Sequence, residues 1–169
     1  QRVIDLVPAS SMQDRSRKLV YAELHCCTNY SFLQGASHPD ELVTQAAVLG
    51  YTALAITDVH SLSGVVQAHA AAKESQLQLL IGAEIRPLNA PRVVLLATDR
   101  ASYGRLSRLI TVGRCRAPKG ECQLNVEDIA THQRGLLAAI VPTAGQKLWD
   151  GMSIHPYRDI FSDRCYLLA

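Results

Sequence analysis

The chain has 169 residues, of which 48% are hydrophobic and 19% charged, with a formal net charge of +2. That is one domain's worth of ordinary globular composition, long enough to bury a core. The longest apolar run, Leu136 to Val141, falls far short of the ~20 residues a membrane helix needs, so no membrane span is expected and the cytoplasm is the expected compartment.

Residues 1–18 mix Arg2, Asp5, Pro8, Asp14, Arg15, Arg17 and Lys18 without an apolar stretch of signal-peptide type, and they read as a flexible leader. From residue 19 the chain alternates strand-like and helix-like runs. Leu19 to His25 reads as a strand. Ser37-His38-Pro39-Asp40-Glu41 opens a helix, with proline at its first turn and acids behind it, and Gly50 closes it. Tyr51 to Thr57 is a continuous apolar run of the kind found in strands buried on both faces. Leu62 to Ser75 follows as a helix, and Leu77 to Ile81 as a strand ending at Gly82-Ala83-Glu84.

Val93 to Ala97 is the next strand and Ala101 to Val112 the next amphipathic helix. Arg114 to Gln123, with Pro118 and Gly120, reads as a basic loop. Val126 to His132 is a short helix, Gly135 to Val141 a strand, and Cys165 to Leu168 the start of another. Repeated βα units predict parallel strands with helices outside, and functional side chains at the C-terminal strand ends. His25, Asp58 and Glu84 all fall at such ends.

Five cysteines (Cys26, Cys27, Cys115, Cys122 and Cys165) make an odd count with no C-x-x-C spacing. A disulfide framework or zinc knuckle is not indicated, and reduced, mostly buried thiols are expected. Charge is unevenly spread. Arg92, Arg100, Arg105, Arg108, Arg114, Arg116 and Lys119 face a single acid, Asp99, between residues 92 and 120. Such a window suits a nucleic-acid surface, a domain contact or a solvated face. Arg105, Arg108, Arg114, Arg116 and Lys119 are the residues expected to make a DNA or domain contact.

Four stretches carry a resemblance: Glu23 to Ser37 (ELHCCTNYSFLQGAS), Leu54 to Gly64 (LAITDVHSLSG), Ile81 to Glu84 (IGAE) and Leu95 to Gly120 (LLATDRASYGRLSRLITVGRCRAPKG). Together they resemble the N-terminal PHP (polymerase and histidinol phosphatase) domain of bacterial C-family DNA polymerases, with the error-prone branch the best match. The likeness runs from about Tyr21 to Ala169. It implies an α/β fold, the PHP-type distorted (β/α)7 barrel, incomplete here: residues 19–169 would form its N-terminal part, with later strands and ligand motifs beyond Ala169. The chain is therefore expected to be a piece of a longer protein.

Family members that bind metal place three ions in a nest of histidines and carboxylates, which activate water and neutralise phosphate. The resemblance maps that nest poorly onto this chain. His25 matches the first histidine of His-x-His, but Cys27 fills the second place. Gln34 stands where Leu-x-Asp-Gly supplies a carboxylate, and Val59 where Thr-Asp-His supplies an imidazole. His60 comes one residue late. Asp58 is kept, Glu84 matches the bridging carboxylate, and Arg92 aligns near a histidine position. His25, Cys27, Gln34, Asp58, Val59 and Glu84 thus read as vestigial metal-site positions. No metal is expected, His25 and Glu84 being the weak candidates.

Structural roles compete for the same residues. Asp58 would cap its following turn through Ser61 or a backbone N–H, and Glu84 would pair with Arg86 or Arg92. His38, His69, His132 and His155 read as surface or packing residues.

On this resemblance the full-length protein would be an error-prone DNA polymerase acting in damage-tolerant synthesis and repair. Its chemistry would lie in a palm domain that uses Mg2+ outside this chain, and this region would be catalytically silent and structural. DNA, the protein's own palm and thumb domains and other damage-tolerance proteins are the implied partners. The alternative is an active metal-dependent phosphoesterase or proofreading exonuclease built on His25, Cys27, His60 and Glu84.

Overall fold

The structure, a computed structural model, describes residues 21–142 and 154–168. The expected leader over residues 1–18 lies outside the described residues. In chain order the elements are β1 (Ala22–Cys26), α1 (Pro39–Val48), β2 (Ala53–Ile56), α2 (Val65–Ser75), β3 (Gln78–Ile85), β4 (Val93–Ala97), α3 (Arg100–Arg116), α4 (Val126–His132), β5 (Leu136–Ile140), α5 (His155–Phe161) and β6 (Cys165–Leu167). A 3-10 turn over Ser162–Arg164 leads into β6.

Among the described residues, six strands make one curled, open sheet whose spatial order, β1 to β6, equals their chain order. This is an α/β half-barrel, as expected for an incomplete PHP-type barrel. It is not parallel throughout. β1, β2 and β3 are parallel, and so are β5 and β6, but β4 runs antiparallel to both β3 and β5. The reason is the connection: the short stretch from Arg86 to Arg92 contains no helix, and a parallel crossover needs about a dozen residues. The chain turns back instead, so β4 begins on the rim where β3 ends.

Helices cover one face of the sheet. α1 and α2 bury Val43, Ala46, Ala68 and Ala72 against Leu54 and Ile56 of β2. α3, α4 and α5 bury Leu106, Leu109, Ile129, Tyr157 and Phe161 against β3, β4 and β5. The other face carries Ala55, Val94, Leu96, Ala139 and Val141. β2 is buried on both sides, as its unbroken apolar run requires. α1 starts as expected: the Glu41 carboxylate accepts from the His38 backbone N–H at 2.8 Å, Pro39 follows, and Gly50 takes a left-handed φ of 76° after the last turn.

Two helices and the cysteines depart from expectation. α3 runs on to Arg116, so Arg114 and Arg116 belong to its last turn and not to a loop. Gly113 does not break it. There the returning segment packs so close that a Cβ would lie 2.6 Å from Cys122 Sγ. α5 was not anticipated, although Tyr157 and Phe161 sit four apart and are fully buried. All five cysteines are free, four of them half-buried and Cys115 exposed, which is less burial than expected. No described helix is long and apolar enough to cross a membrane.

Leu106 is completely buried between α3 and the sheet. Leu106→Ala is expected to lower the free energy of unfolding by about 2–5 kcal/mol in urea titration. A loss below about 1 kcal/mol would mean that this helix does not pack as described.

Candidate metal centre

The end of β1 is irregular. Glu23 pairs with Leu54 and Cys26 with Ile56, so β1 carries one more residue than β2 over that stretch. Such a bulge re-aims a side chain and leaves a backbone N–H without a ladder partner. Here the orphan belongs to His25, and the Glu23 carboxylate accepts from it at 3.0 Å. The His25 imidazole thereby reaches β3, where Nε2 lies 2.7 Å from Glu84 Oε2. An ionised carboxylate only accepts, so Nε2 is the donor.

Glu84 is 2% exposed. Its other oxygen, Oε1, accepts from Arg86 Nε at 2.6 Å. The same guanidinium reaches across to the loop after β1, where Nη2 donates to Gln34 Oε1 at 2.5 Å. Burial works to raise the Glu84 carboxyl, but the hydrogen bonds from His25 and Arg86 outweigh it and hold the pKa near 2. Hydrogen bonding to Cys27 and then to Glu84 raises His25 to about 9 against the opposing effect of burial.

Cys27 directs its Sγ toward the Thr57 carbonyl, 3.6 Å away. His25, Cys27 and Glu84 offer ligand atoms within 4.8 Å of one another, the one such group among the described residues.

Asp58 takes no part in that group, and it caps the turn that follows it neither through Ser61 nor through a backbone N–H there, the two expected options; its partners lie in the loop after β1. At 1% exposure its carboxylate accepts from the Thr28 backbone N–H at 2.7 Å, the Thr28 hydroxyl at 2.8 Å and the Ser31 hydroxyl at 2.6 Å. Ser31 Oγ in turn accepts from the Val59 N–H at 2.9 Å. Val59 bridges to Glu84 through the backbone and supplies no ligand. His60 turns away. Its φ of 49° is left-handed, and it lines a separate cavity of about 500 Å³ with Ser61, Leu62, Ser107, Ile110 and Arg114. Burial first, then Arg114 and Arg86, pushes the His60 pKa down to about 4. Arg92 donates to the Pro142 carbonyl and not to Glu84.

A multi-cation centre needs several donors with free lone pairs converging on one space. Here Glu84 is engaged on both oxygens, Gln34 is held by Arg86, Asp58 serves Thr28 and Ser31, and Val59 has nothing to give. The Arg86 guanidinium lies against Glu84 and Gln34. The residues present do not fit a three-metal centre.

The basic residues are unlike one another. Arg105 donates to the Arg134 carbonyl. Arg114 donates to the carbonyls of His60 and Gly120. Arg116 makes a two-pronged contact with Asp128 at 2.7 and 3.0 Å. Arg108 and Lys119 are exposed, and neither has a side-chain partner among the described residues. Sequence reasoning underrated two features. Arg86 entered only as one option for Glu84, and the Thr28 and Ser31 hydroxyls were not read as partners of Asp58, although both lie in the Cys27 to Ser31 stretch.

The family model described as PHP domain matches residues 23–147. A protein of Rhodopirellula baltica named error-prone DNA polymerase is 48% identical over 167 residues, 93% of this chain and 15% of that one. A second of that name, from Aromatoleum aromaticum, is 60% identical over 124 residues, 72% of this chain and 12% of that one. The chain therefore spans under a sixth of the length of these relatives. A candidate metal-dependent phosphoesterase of Bifidobacterium adolescentis superposes with a TM-score of 0.64 at 16% identity, covering 86% of this chain and 76% of the other. The lesion-specific endonuclease Q of Pyrococcus furiosus gives 0.56 at 12% identity, covering 88% and 41%. At these identities the structures share the fold alone.

The two histidines are shifted in opposite directions from the ordinary imidazole value, His25 up and His60 down. Protonated His25 stabilises the fold fully below its ordinary pKa of about 6.5, and that contribution is lost as pH rises through about 9. Neutral His60 stabilises the fold above about 6.5, and its contribution falls as pH drops toward about 4. Two-dimensional NMR of the imidazole protons is expected to place the His25 midpoint near 9 and the His60 midpoint near 4. Coincident midpoints near 6.5 would refute both environments. Asp58→Ala strands three buried donors and is expected to cost about 3 kcal/mol or more in chemical denaturation; a neutral effect would contradict the hydrogen-bond set.

Proposed function

The chain belongs to the PHP domain family, and on that premise we propose that it is the N-terminal PHP region of an error-prone DNA polymerase that works in damage-tolerant synthesis and repair. The observation that carries this reading is the 48–60% identity to proteins of that name, spread over most of the chain. Residues 19–169 would belong to the PHP region and residues 1–18 to a leader. Nucleotide transfer would take place in a palm domain with Mg2+, outside this chain, in the cytoplasm.

The role of this region in that protein is structural. Its rim carboxylates are held by neighbouring groups, Glu84 by His25 and Arg86 and Asp58 by Thr28, which disfavours a water-activating metal cluster. Along α3, Arg105, Arg114 and Arg116 secure their own domain. Arg108 and Lys119 remain for a contact with DNA, with the palm or thumb, or with another damage-tolerance protein.

The convergence of His25, Cys27 and Glu84 favours a second reading, a metal-dependent phosphoesterase or proofreading exonuclease. Primer extension separates the two. The full-length protein is expected to extend a primer past an abasic site with Mg2+, and to leave a mismatched 3′ end intact without polymerisation. A mismatch excision that disappears in Glu84→Gln while extension persists would establish the second reading. Failure of extension would refute the first.

A further inference from the structure

We propose that Arg86 is a built-in replacement for a metal cation, and that it keeps His25, Cys27 and Glu84 from acting as a zinc site that they are otherwise shaped to form. This goes beyond the polymerase reading and does not depend on it.

The argument starts from Glu84. A carboxylate at 2% exposure has lost its water and needs hydrogen-bond donors or a positive partner in its place. In a metal centre that partner is an ion from solution. Here it is a guanidinium two residues along the same chain, 2.6 Å from Oε1. The following residue, Pro87, is buried, which helps hold this segment in place.

Gln34 completes the substitution. A guanidinium offers five donors and no acceptor, so the neighbour it needs is a neutral or anionic oxygen. The Gln34 amide oxygen supplies one from the loop after β1. Arg86 thus ties that loop to β3, where a bridging ion would also join the two. Val59 adds no donor and no charge. These residues make one consistent set: two lost ligands and one gained cation.

The remaining donors have a definite chemistry. Imidazole, thiol and carboxylate atoms lie within 4.8 Å of one another, and three protein ligands of this kind with one open position suit zinc. A thiol tilts the preference further from magnesium and manganese. Zinc entry would release the Cys27 S–H proton and the His25 Nε2 proton to solvent, and would form bonds from Sγ, Nε2 and a Glu84 oxygen. Arg86 opposes this in two ways: it occupies Glu84 Oε1, and it sets a fixed positive charge beside the incoming ion.

The test uses the full-length protein stripped with chelator, dialysed against zinc, and compared as wild type, Arg86→Ala, Arg86→Lys and Arg86→Ala with Cys27→Ser. Zinc per chain is read by elemental analysis, and thiolate ligation by the charge-transfer band of the cobalt(II) form. Arg86→Ala is expected to hold one more zinc per chain than wild type and to show the cobalt–thiolate band. Arg86→Lys, which keeps the charge, and the Cys27→Ser double variant are expected to show neither gain. If Arg86→Ala does not fold by circular dichroism, Arg86→Gln is read the same way. Equal zinc and an equal band in wild type would overturn the proposal, and so would a folded Arg86→Ala or Arg86→Gln that takes up no additional zinc.

Discussion

A carboxylate enclosed just past the end of β2 has to be satisfied completely, and Asp58 is satisfied by one short loop. Its oxygens accept from the Thr28 N–H and from the hydroxyls of Thr28 and Ser31. Those bonds fix where the chain goes after β1, because the loop cannot move without stranding buried donors. The loop is then so tight that a Cβ on Gly35 would lie 2.1 Å from the Thr28 carbonyl oxygen. Gln34 is delivered to Arg86 by this loop, and Pro39 is delivered to the start of α1. The geometry around Glu84 therefore rests on a carboxylate that belongs to a different strand and touches none of the possible ligands.

The division of labour between the two buried acids explains how a rim can keep its shape after its chemistry has changed. Asp58 organises backbone and hydroxyls, which need no ion. Glu84 faces charged groups, and its environment decides whether solvent cations matter. The substitutions at positions 27, 34 and 59 fall on the Glu84 side or on backbone bridges. The Asp58 side retains every partner its carboxylate requires.

Much of this was legible in the sequence because the signals were local. Pro39 with Glu41 behind it marked the first helix, the apolar run around Ala53–Ile56 marked a doubly buried strand, and His25, Asp58 and Glu84 fell at strand ends. The reversal of β4 was written only in the brevity of the Arg86–Arg92 link. A loop length carries less force than a repeating βα pattern, and the pattern misled. α3 outran its expected end because helix propensity persists until Pro118 approaches, while Gly113 looks like a breaker until its packing partner Cys122 is known. Arg86 was legible only as one of two cations that Glu84 would pair with, since nothing in the residue pattern tells which of them a carboxylate will choose. The basic segment suffered the same ambiguity. Charge along the chain does not say that Arg116 is spent on Asp128 while Arg108 is not.

The identity of spatial and chain order in the sheet has a consequence for how the molecule is made. Every strand lies beside the one that precedes it in sequence, so no strand has to be inserted between two that are already joined. Each pairing closes a loop over a single intervening segment, which keeps the entropy of closure low and the contacts local. A chain emerging from the ribosome can add one strand at a time to an existing edge. Growth of the sheet is then directional, and its open edge travels with the point of synthesis.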